Sequence, residues 1–235
     1  MQDHPLASAI GSAFARQRVV VSEHQATQFA RYLELIERWN QVVSLTSIKD
    51  RPTAILRHFV EPAAAVPYLA GAGPRVLDAG SGVGCPGVAI KILDPEREVT
   101  LVEANGRKAT FLREVVDVLE LEGVHIAAGR FDELIAAKEI VAPVHVLLAR
   151  AWTSGWGALL GQAAEVMAPG GRGLLFTGEQ TLRSLRRNLV VPRPGAPTMD
   201  EDWRGAVAAG WQVRRTLPLP HLDRGFLVSL ELPGE

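Results

Sequence analysis

A glycine-rich stretch at residues 75–89, RVLDAGSGVGCPGVA, constrains the fold of this chain more than any other feature. Val76 and Leu77 form a short apolar run ahead of Asp78, and apolar residues return at helical spacing after the last glycine. This order predicts a buried strand, a glycine-rich turn and a helix. Glycine permits positive φ angles and a close approach of the backbone to a ligand. Because open α/β sheets bind ligands at the carboxyl ends of their strands, the turn is predicted to form the floor of a nucleotide-type site.

Two classes of ligand fit the spacing of these glycines. Gly82, Gly84 and Gly87 satisfy the G-x-G-x-x-G pattern of dinucleotide-binding turns, in which a helix N-terminus receives a pyrophosphate. Counted from Gly80, the same turn with Asp78 ahead of it is similar to the first motif of class I methyltransferases, which use S-adenosylmethionine. The turn by itself leaves both ligands open.

Strands and helices alternate after the turn, which predicts a parallel sheet. Strands are predicted at 99–104, 124–128, 144–149 and 174–176, and helices at 106–121 and 157–167. The second strand includes Glu103, whose carboxylate suits the hydroxyl groups of a ribose, and both cofactors carry one. Near the end of the chain, 213–217 and 226–232 predict an antiparallel hairpin. Residues 190–209, rich in proline, glycine and acids, are predicted to form a surface insertion.

The first part of the chain is predicted to be helical. Ser22 and Gln25 match a capping box, and apolar residues then follow in three- and four-residue steps. A second helix is predicted to begin near Pro52, with Pro62 and Pro67 kinking or dividing it because proline lacks a backbone donor. We therefore expect a single globular unit, with a helical appendage at 1–72 packed on a cofactor-binding domain at 73–235.

Composition narrows the function classes further. With 235 residues and a net charge of −1, the chain shows no global sign of nucleic-acid binding, so an RNA partner would need a local basic patch. Cys85 is the only cysteine, which fits a reducing compartment, and it is interpreted as a small apolar residue of the site. The histidines show no ligand spacing, so we expect no metal. We expect a cytoplasmic monomer that makes no membrane contact.

With these elements in order, the chain resembles class I methyltransferases over 75–232. Pro-Gly-Gly ahead of the fifth strand is common in that superfamily and unexpected in dinucleotide dehydrogenases. Within it, the chain resembles the bacterial ribosomal RNA small-subunit methyltransferase G family. The motifs that carry this resemblance are Trp39-Asn40, Leu45-Thr46-Ser47-Ile48, Arg57-His58, DAGSGVGCPG at 78–87, Arg107-Lys108 ahead of Phe111-Leu112, and Arg150-Ala151.

The resemblance implies a Rossmann-like α/β fold, mostly parallel with an antiparallel C-terminal strand, and helices on both faces. It implies methyl transfer from S-adenosylmethionine to N7 of a guanine in small-subunit (16S) ribosomal RNA, with the RNA or the 30S particle as partner. The cofactor-binding residues expected from the turn, the second strand and the family's pattern are Asp78, Gly80, Ser81, Gly82, Gly84, Cys85, Glu103, Phe131, Asp132 and Arg150.

We expect no acid, base or nucleophile, because guanine N7 has a lone pair and no proton to lose. Positioning of the reacting groups then suffices for catalysis. Trp152, two residues after Arg150, is the candidate aromatic face for the acceptor base. The candidate RNA contacts are Arg57 and His58 in the appendage and, at helical spacing, Arg183, Arg186 and Arg187.

Four positions depart from the family's pattern. Ser44 replaces Asn, Glu61-Pro62 replaces Asp-Ser, Thr177 replaces Lys, and Glu231 replaces a basic residue. The last two remove positive charge that could touch RNA phosphates. Two alternative functions remain, an NAD-dependent oxidoreductase that uses the same glycine turn and a non-catalytic rRNA-binding or ribosome assembly factor.

Overall fold

The computed structural model describes residues 5–189, 203–219 and 225–234. In these ranges one sheet is formed by β1 (Arg75–Ala79), β2 (Glu98–Glu103), β3 (Val124–Ala128), β4 (Val144–Arg150), β5 (Met167–Gly178), β6 (Gln212–Pro218) and β7 (Gly225–Glu231). Their spatial order is β3-β2-β1-β4-β5-β7-β6. Strands β1 to β5 are parallel, and β7 is antiparallel to β5 and β6. The predicted Rossmann-like sheet is confirmed.

Helices cover both faces of the sheet. Successive side chains of a strand point to opposite faces, so adjacent apolar residues of one strand are buried under helices on different sides. They are α1 (Pro5–Arg16), α2 (Glu23–Trp39), α3 (Arg51–Ala54), α4 (Gly87–Leu93), α5 (Gly106–Val118), α6 (Phe131–Ala136), α7 (Trp156–Ala164), α8 (Glu179–Leu189) and α9 (Arg204–Ala208). Val76 of β1 belongs to the buried cluster that contains side chains of α1, α2, α4 and α5. Leu77 belongs to the other cluster, with α6 to α9. No helix in the described ranges has the length and apolar composition to span a bilayer.

The N-terminal helices pack directly on the sheet. The predicted capping box is present at the start of α2, where the Ser22 hydroxyl accepts from the Gln25 amide at 3.1 Å and the Gln25 side chain accepts from the Ser22 amide at 2.9 Å. Further along α2, the Tyr32 hydroxyl donates to the Val83 carbonyl inside the glycine turn. The appendage therefore contacts the turn itself.

Proline divides the second helical stretch, as predicted. After α3 the chain continues as a π-helical turn, Ile55–Val60, and a 3-10 segment, Glu61–Tyr68. The Glu61 amide donates to the Leu56 carbonyl, five residues earlier. The next bond of that π-helical series would join the Arg57 carbonyl to the amide of Pro62, which has no hydrogen to donate. The Arg57 carbonyl is thereby left available to other donors.

Three predictions about individual elements are wrong. Helix α7 ends at Ala164, and β5 begins at Met167, ahead of Pro169-Gly170-Gly171, because Met167 pairs with Val144 before the register shifts. Helix α5 ends at Val118 and not at the predicted residue 121, and Val118 itself is 41% exposed.

The third wrong prediction concerns the C-terminal part of the predicted surface insertion at 190–209. Residues 190–202 lie outside the described ranges, but Trp203 and Ala206 are buried against the sheet, so this part is core. Helix α9 packs closely on α7, where a Cβ on Gly161 would lie 3.1 Å from the Gly205 Cα.

Candidate functional site

The glycine turn between β1 and α4 lies at the carboxyl edge of the sheet. Gly80, Gly82 and Gly84 have φ angles of +70°, +57° and +86°, which side chains rarely adopt. A Cβ on Gly84 would lie 2.4 Å from the Tyr32 hydroxyl, and one on Gly87 would lie 2.4 Å from Leu101 Cδ2. The turn therefore needs glycine both for its backbone conformation and for close packing by α2 and β2.

Asp78 lies beneath the turn and is fully buried. Its Oδ2 accepts from the Gly87 amide at 3.0 Å, and the Ser81 hydroxyl donates to its carbonyl at 3.0 Å. Oδ1 has no hydrogen-bond partner among the described residues. Burial raises the pKa of Asp78 to about 7. The side chain ties the end of β1 to the start of α4.

Glu103 holds the turn from the neighbouring strand. Its Oε2 accepts from the Gly82 amide at 2.7 Å, and its Oε1 accepts from the Asn105 amide at 2.8 Å. A carboxylate oxygen has two lone pairs, so each oxygen can accept a further hydrogen bond from a ligand hydroxyl.

A cavity of about 300 Å³ opens beside Gly80, and we call it the turn-side cavity. Its size falls in the range of small-molecule sites. Five of the predicted cofactor-binding residues line it, namely Gly80, Glu103, Phe131, Asp132 and Arg150. The other five do not line it and form the turn and its support: Asp78, Ser81, Gly82, Gly84 and Cys85.

Trp152 forms a wall of this cavity. A Cβ on Gly80 would lie 3.2 Å from its ring, and the ring meets Phe131 edge-on with centroids 6.0 Å apart. Its indole nitrogen donates to the Gly155 carbonyl at 3.0 Å, which fixes the ring plane. Ala151, directly before it, has a φ of +50°, an uncommon conformation outside glycine that is frequent at functional sites.

A second cavity, of about 440 Å³, lies on the other side of the same segment, and we call it the appendage-side cavity. Arg57 and Glu61 contribute from the N-terminal helices. Thr177 lines it from the end of β5. Residues 150–153 line both cavities, so the two spaces share one wall.

Arg150 joins the glycine turn to the appendage. Its Nη2 lies 2.8 Å from Glu61 Oε2, and its Nη1 lies 3.0 Å from Cys85 Sγ. Nη1 also donates to the Arg57 carbonyl, the group that Pro62 leaves without a helical donor. Burial raises the pKa of Cys85 to about 11, so its sulfur is a neutral thiol near neutral pH.

The predicted RNA contacts at Arg57 and His58 differ in their surroundings. The Arg57 side chain is 30% exposed and lines the appendage-side cavity. His58 is only 5% exposed, and neither ring nitrogen has a hydrogen-bond partner among the described residues. Burial, together with Arg150 and Arg57, lowers the pKa of His58 to about 4. His58 is therefore a neutral, interior side chain near neutral pH.

The three arginines of α8 are exposed and line neither cavity. Leu182 and Leu185 are the buried face of this helix, and the basic residues on the opposite face are Arg183, Arg186 and Arg187. Arg183 pairs with Glu179 in the first turn of α8. The helix follows directly after Thr177 and Gly178, so this basic face begins beside the appendage-side cavity.

Several residues of the site were not predicted. Ser154 and Gln162 line the turn-side cavity, and Trp156 and Thr181 line the appendage-side cavity. Ser154, Trp156 and Gln162 follow the carboxyl end of β4, and the segments after the carboxyl ends of strands are where open α/β sheets bind ligands. The described residues contain no group of three histidine, cysteine or acidic side chains that could hold a metal ion.

Comparison with known proteins identifies relatives of this chain. The family model for rRNA small subunit methyltransferase G (GidB) matches residues 25–189. The ribosomal RNA small subunit methyltransferase G of Xanthomonas oryzae pv. oryzae is 35% identical over 180 residues, which cover 76% of this chain and 82% of that protein. The protein of the same name from Streptococcus pneumoniae serotype 19F is 36% identical over 141 residues, covering 58% of this chain. The match spans only 59% of that relative's length.

Solved structures of other methyltransferases share the fold. A putative O-methyltransferase from Klebsiella pneumoniae is similar with a TM-score of 0.58 and 14% identity, covering 99% of this chain and 100% of that one. A SAM-dependent methyltransferase from Aquifex aeolicus has a TM-score of 0.55 and 17% identity, covering 80% and 97%. The fold follows from these structures, and the family follows from the match over 25–189: the chain belongs to the rRNA small subunit methyltransferase G family.

Proposed function

We propose that this protein transfers a methyl group from S-adenosylmethionine to N7 of a guanine in small-subunit ribosomal RNA. The observation that carries the proposal is the wall at residues 150–153, which the turn-side and appendage-side cavities share. A donor in one cavity and an acceptor base in the other would meet at this wall. Membership of the family favours this reaction over hydride transfer with NAD.

The turn-side cavity fits an adenosyl group. The absence of a Cβ at Gly80 keeps the space beside Trp152 open, and the free lone pairs of Glu103 suit ribose hydroxyls. Phe131 and Asp132 supply an aromatic face and a carboxylate for the adenine. When bound, S-adenosylmethionine supplies an electrophilic methyl group on a sulfonium. The residues beneath the turn, including Asp78 and Cys85, act by positioning it.

The remaining task of the chain is to hold the acceptor. Guanine N7 carries an in-plane lone pair and no proton, so no side chain has to remove one. Alignment of the reacting atoms by itself can contribute roughly 7–11 kcal/mol. The Trp152 ring can stack on the base and, through its π face, favour the positive charge that the purine gains.

The appendage and α8 supply the proposed RNA surface. We propose that residues 1–72 complete the acceptor cavity by means of Arg57 and Glu61, and that the basic face of α8 contacts phosphates. In this scheme His58, which is interior, supports the cluster around Arg150 and makes no RNA contact.

The test is methyl incorporation into small subunits from cells that lack this protein. Tritiated S-adenosylmethionine should label their 16S RNA at one guanine, mapped by strand scission at 7-methylguanine, and subunits from cells that contain the protein should take up no label. Naked 16S RNA in parallel distinguishes RNA from particle as the acceptor. Calorimetric binding of NAD and not of S-adenosylmethionine would support an oxidoreductase. Binding of the subunit without labelling would support an assembly factor.

A further inference from the structure

The appendage-side cavity contains a buried carboxylate with one oxygen unused. Glu61 Oε2 lies 2.8 Å from Arg150 Nη2 and 3.3 Å from Arg57 Nε. Oε1 is buried and has no hydrogen-bond partner among the described residues. Leaving a buried carboxylate oxygen unpaired is unfavourable, and such groups are rare in folded proteins. Glu61 is one of the residues that line the cavity, so this unpaired oxygen is a candidate acceptor for a ligand donor.

Arg150 orients this carboxylate. It donates to Oε2, while Arg57 Nε lies 3.3 Å from the same oxygen as an ion pair without a hydrogen bond. The Glu61 side chain is only 1% exposed, so it has little room to rotate. Pro62 contributes to the same arrangement, since it leaves the Arg57 carbonyl free for Arg150. The acceptor atom is therefore held in place before any ligand arrives.

We propose that Glu61 selects guanine as the acceptor base, with Oε1 accepting a hydrogen bond from guanine N1–H or the 2-amino group. Guanine presents these two donors side by side on its Watson–Crick edge. Adenine has an unprotonated N1 on that edge, whose lone pair would face the carboxylate. This inference rests on the methyl transfer proposed above and adds the residue that determines the base.

The other side chains of the cavity discriminate less well. Thr153, Thr177 and Thr181 can each donate or accept through a rotating hydroxyl, so they fit either purine. Arg57 and Arg150 are donors only, and N7 of the base must stay unpaired to attack the methyl group. Arg150 already donates to Glu61, Cys85 and the Arg57 carbonyl. Of the described residues that line the cavity, Glu61 is the one acidic side chain.

The experiment measures the binding of free nucleotides in the presence of S-adenosylhomocysteine. GMP, IMP and AMP are titrated separately and followed by tryptophan fluorescence, since Trp152 and Trp156 line the cavity. We expect the full-length protein to bind GMP about tenfold more tightly than AMP, the scale of one good base contact. IMP, which keeps N1–H and lacks the 2-amino group, should fall between them.

The variant Glu61→Gln should remove or invert this preference. The two arginines attract the amide oxygen, so the amide nitrogen takes the place of Oε1 and presents a donor to the base. Glu61→Asp keeps the carboxylate and should retain a preference for GMP. Glu37→Gln is the matched control, because Glu37 also belongs to the appendage, pairs with Arg51 at 2.7 Å and lines neither cavity. The ratio of its affinities for GMP and AMP should equal that of the parent.

The inference is overturned if the parent binds GMP and AMP with equal affinity, or binds neither. It is also overturned if Glu61→Gln has the same ratio of GMP to AMP affinity as the parent. Where Glu61→Gln does not fold, as judged by circular dichroism, the ratios of the parent and of Glu61→Asp decide. Methylation of small subunits is measured on the same preparations. A parent that methylates them without a guanine preference in binding refutes only the role of Glu61, and one that prefers GMP but transfers no methyl group refutes only the proposed function.

Discussion

Replacement of Gly84 by alanine should strongly destabilise the protein and weaken cofactor binding. Gly84 has a φ of +86°, and a Cβ there would lie 2.4 Å from the Tyr32 hydroxyl and 2.7 Å from Val88 Cγ2. The positive φ costs about 1–2 kcal/mol for a residue with a Cβ. Relief of the two contacts requires movement of packed groups, typically about 1–3 kcal/mol.

Steric overlap with the Tyr32 hydroxyl lowers the stability of Gly84→Ala by more than the overlap alone would. The hydroxyl donates to the Val83 carbonyl, so its displacement also removes a buried hydrogen bond, which contributes about 0.5–1.5 kcal/mol. Together these effects lower the free energy of unfolding by about 3–6 kcal/mol. Because a domain of this kind has only about 5–15 kcal/mol in total, the loss is large.

The assay is urea unfolding followed by circular dichroism, combined with calorimetry of S-adenosylmethionine binding. Gly106→Ala is the control, since a Cβ at Gly106 meets nothing within 4 Å, and we expect a change below about 0.5 kcal/mol. Tyr32→Phe removes the hydroxyl that the new methyl group would meet. In that background Gly84→Ala should cost at least about 1 kcal/mol less than in the parent. Additive effects of the two substitutions would refute the argument from contact with Tyr32.

Three further predictions concern the site. Trp152→Ala should lower the rate of methyl transfer about tenfold more than it lowers cofactor affinity, since base stacking is lost; equal losses in single-turnover and calorimetric measurements would confine the ring to the cofactor cavity. Replacing Arg183, Arg186 and Arg187 together by glutamine should reduce the slope of log affinity for the RNA against log salt by about 2. An unchanged slope, or an equal reduction on replacing the exposed Arg16, Arg18 and Arg31, would remove α8 from the interface. Burial raises the pKa of Asp78 from 3.8 to about 7, so the parent should lose on the order of 4 kcal/mol of stability relative to Asp78→Asn as the pH rises from about 4 to about 7. If the difference in unfolding free energy between the parent and Asp78→Asn does not vary with pH, the prediction is contradicted. His58, whose pKa is lowered to about 4, contributes with the opposite sign, but it is present in both proteins and so cancels in this difference.

The parts of the fold that were predicted are those that local patterns determine. The strand at 124–128 was predicted with its observed bounds, and the capping box of Ser22 and Gln25 forms as its spacing indicates. The glycine turn was identified because few other arrangements require so many small residues after an apolar strand. Each of these patterns depends on neighbours within a few positions of the chain.

The start of β5 and the burial of Trp203 depend on distant partners and could not be predicted in this way. Met167 becomes a strand residue because it pairs with Val144, and Trp203 is buried because α9 lies against α7. Of the five predicted residues that line the turn-side cavity, Gly80 lies in the glycine motif, Glu103 ends the second strand, and the other three were expected from the resemblance to the family: Phe131, Asp132 and Arg150. The predicted residues that only support the cavity all lie in the motif. The sequence pattern could not separate the two groups, since Asp78 and Gly80 lie two positions apart in the motif but face different surroundings.

The connection between the appendage and the turn is the part of the site that depends most on residues distant in sequence. Arg150 at the end of β4 contacts Glu61, the Arg57 carbonyl and Cys85, so one guanidinium joins the appendage, the turn and the wall between the two cavities. The carbonyl is available because Pro62 interrupts the helix, a role that becomes visible only when the π-helical bonds are traced. In the resemblance drawn from the sequence alone, Glu61-Pro62 was expected to depart from the family's pattern. In the structure the same two residues hold Arg150 in place, and a substitution at either should therefore alter both cavities together.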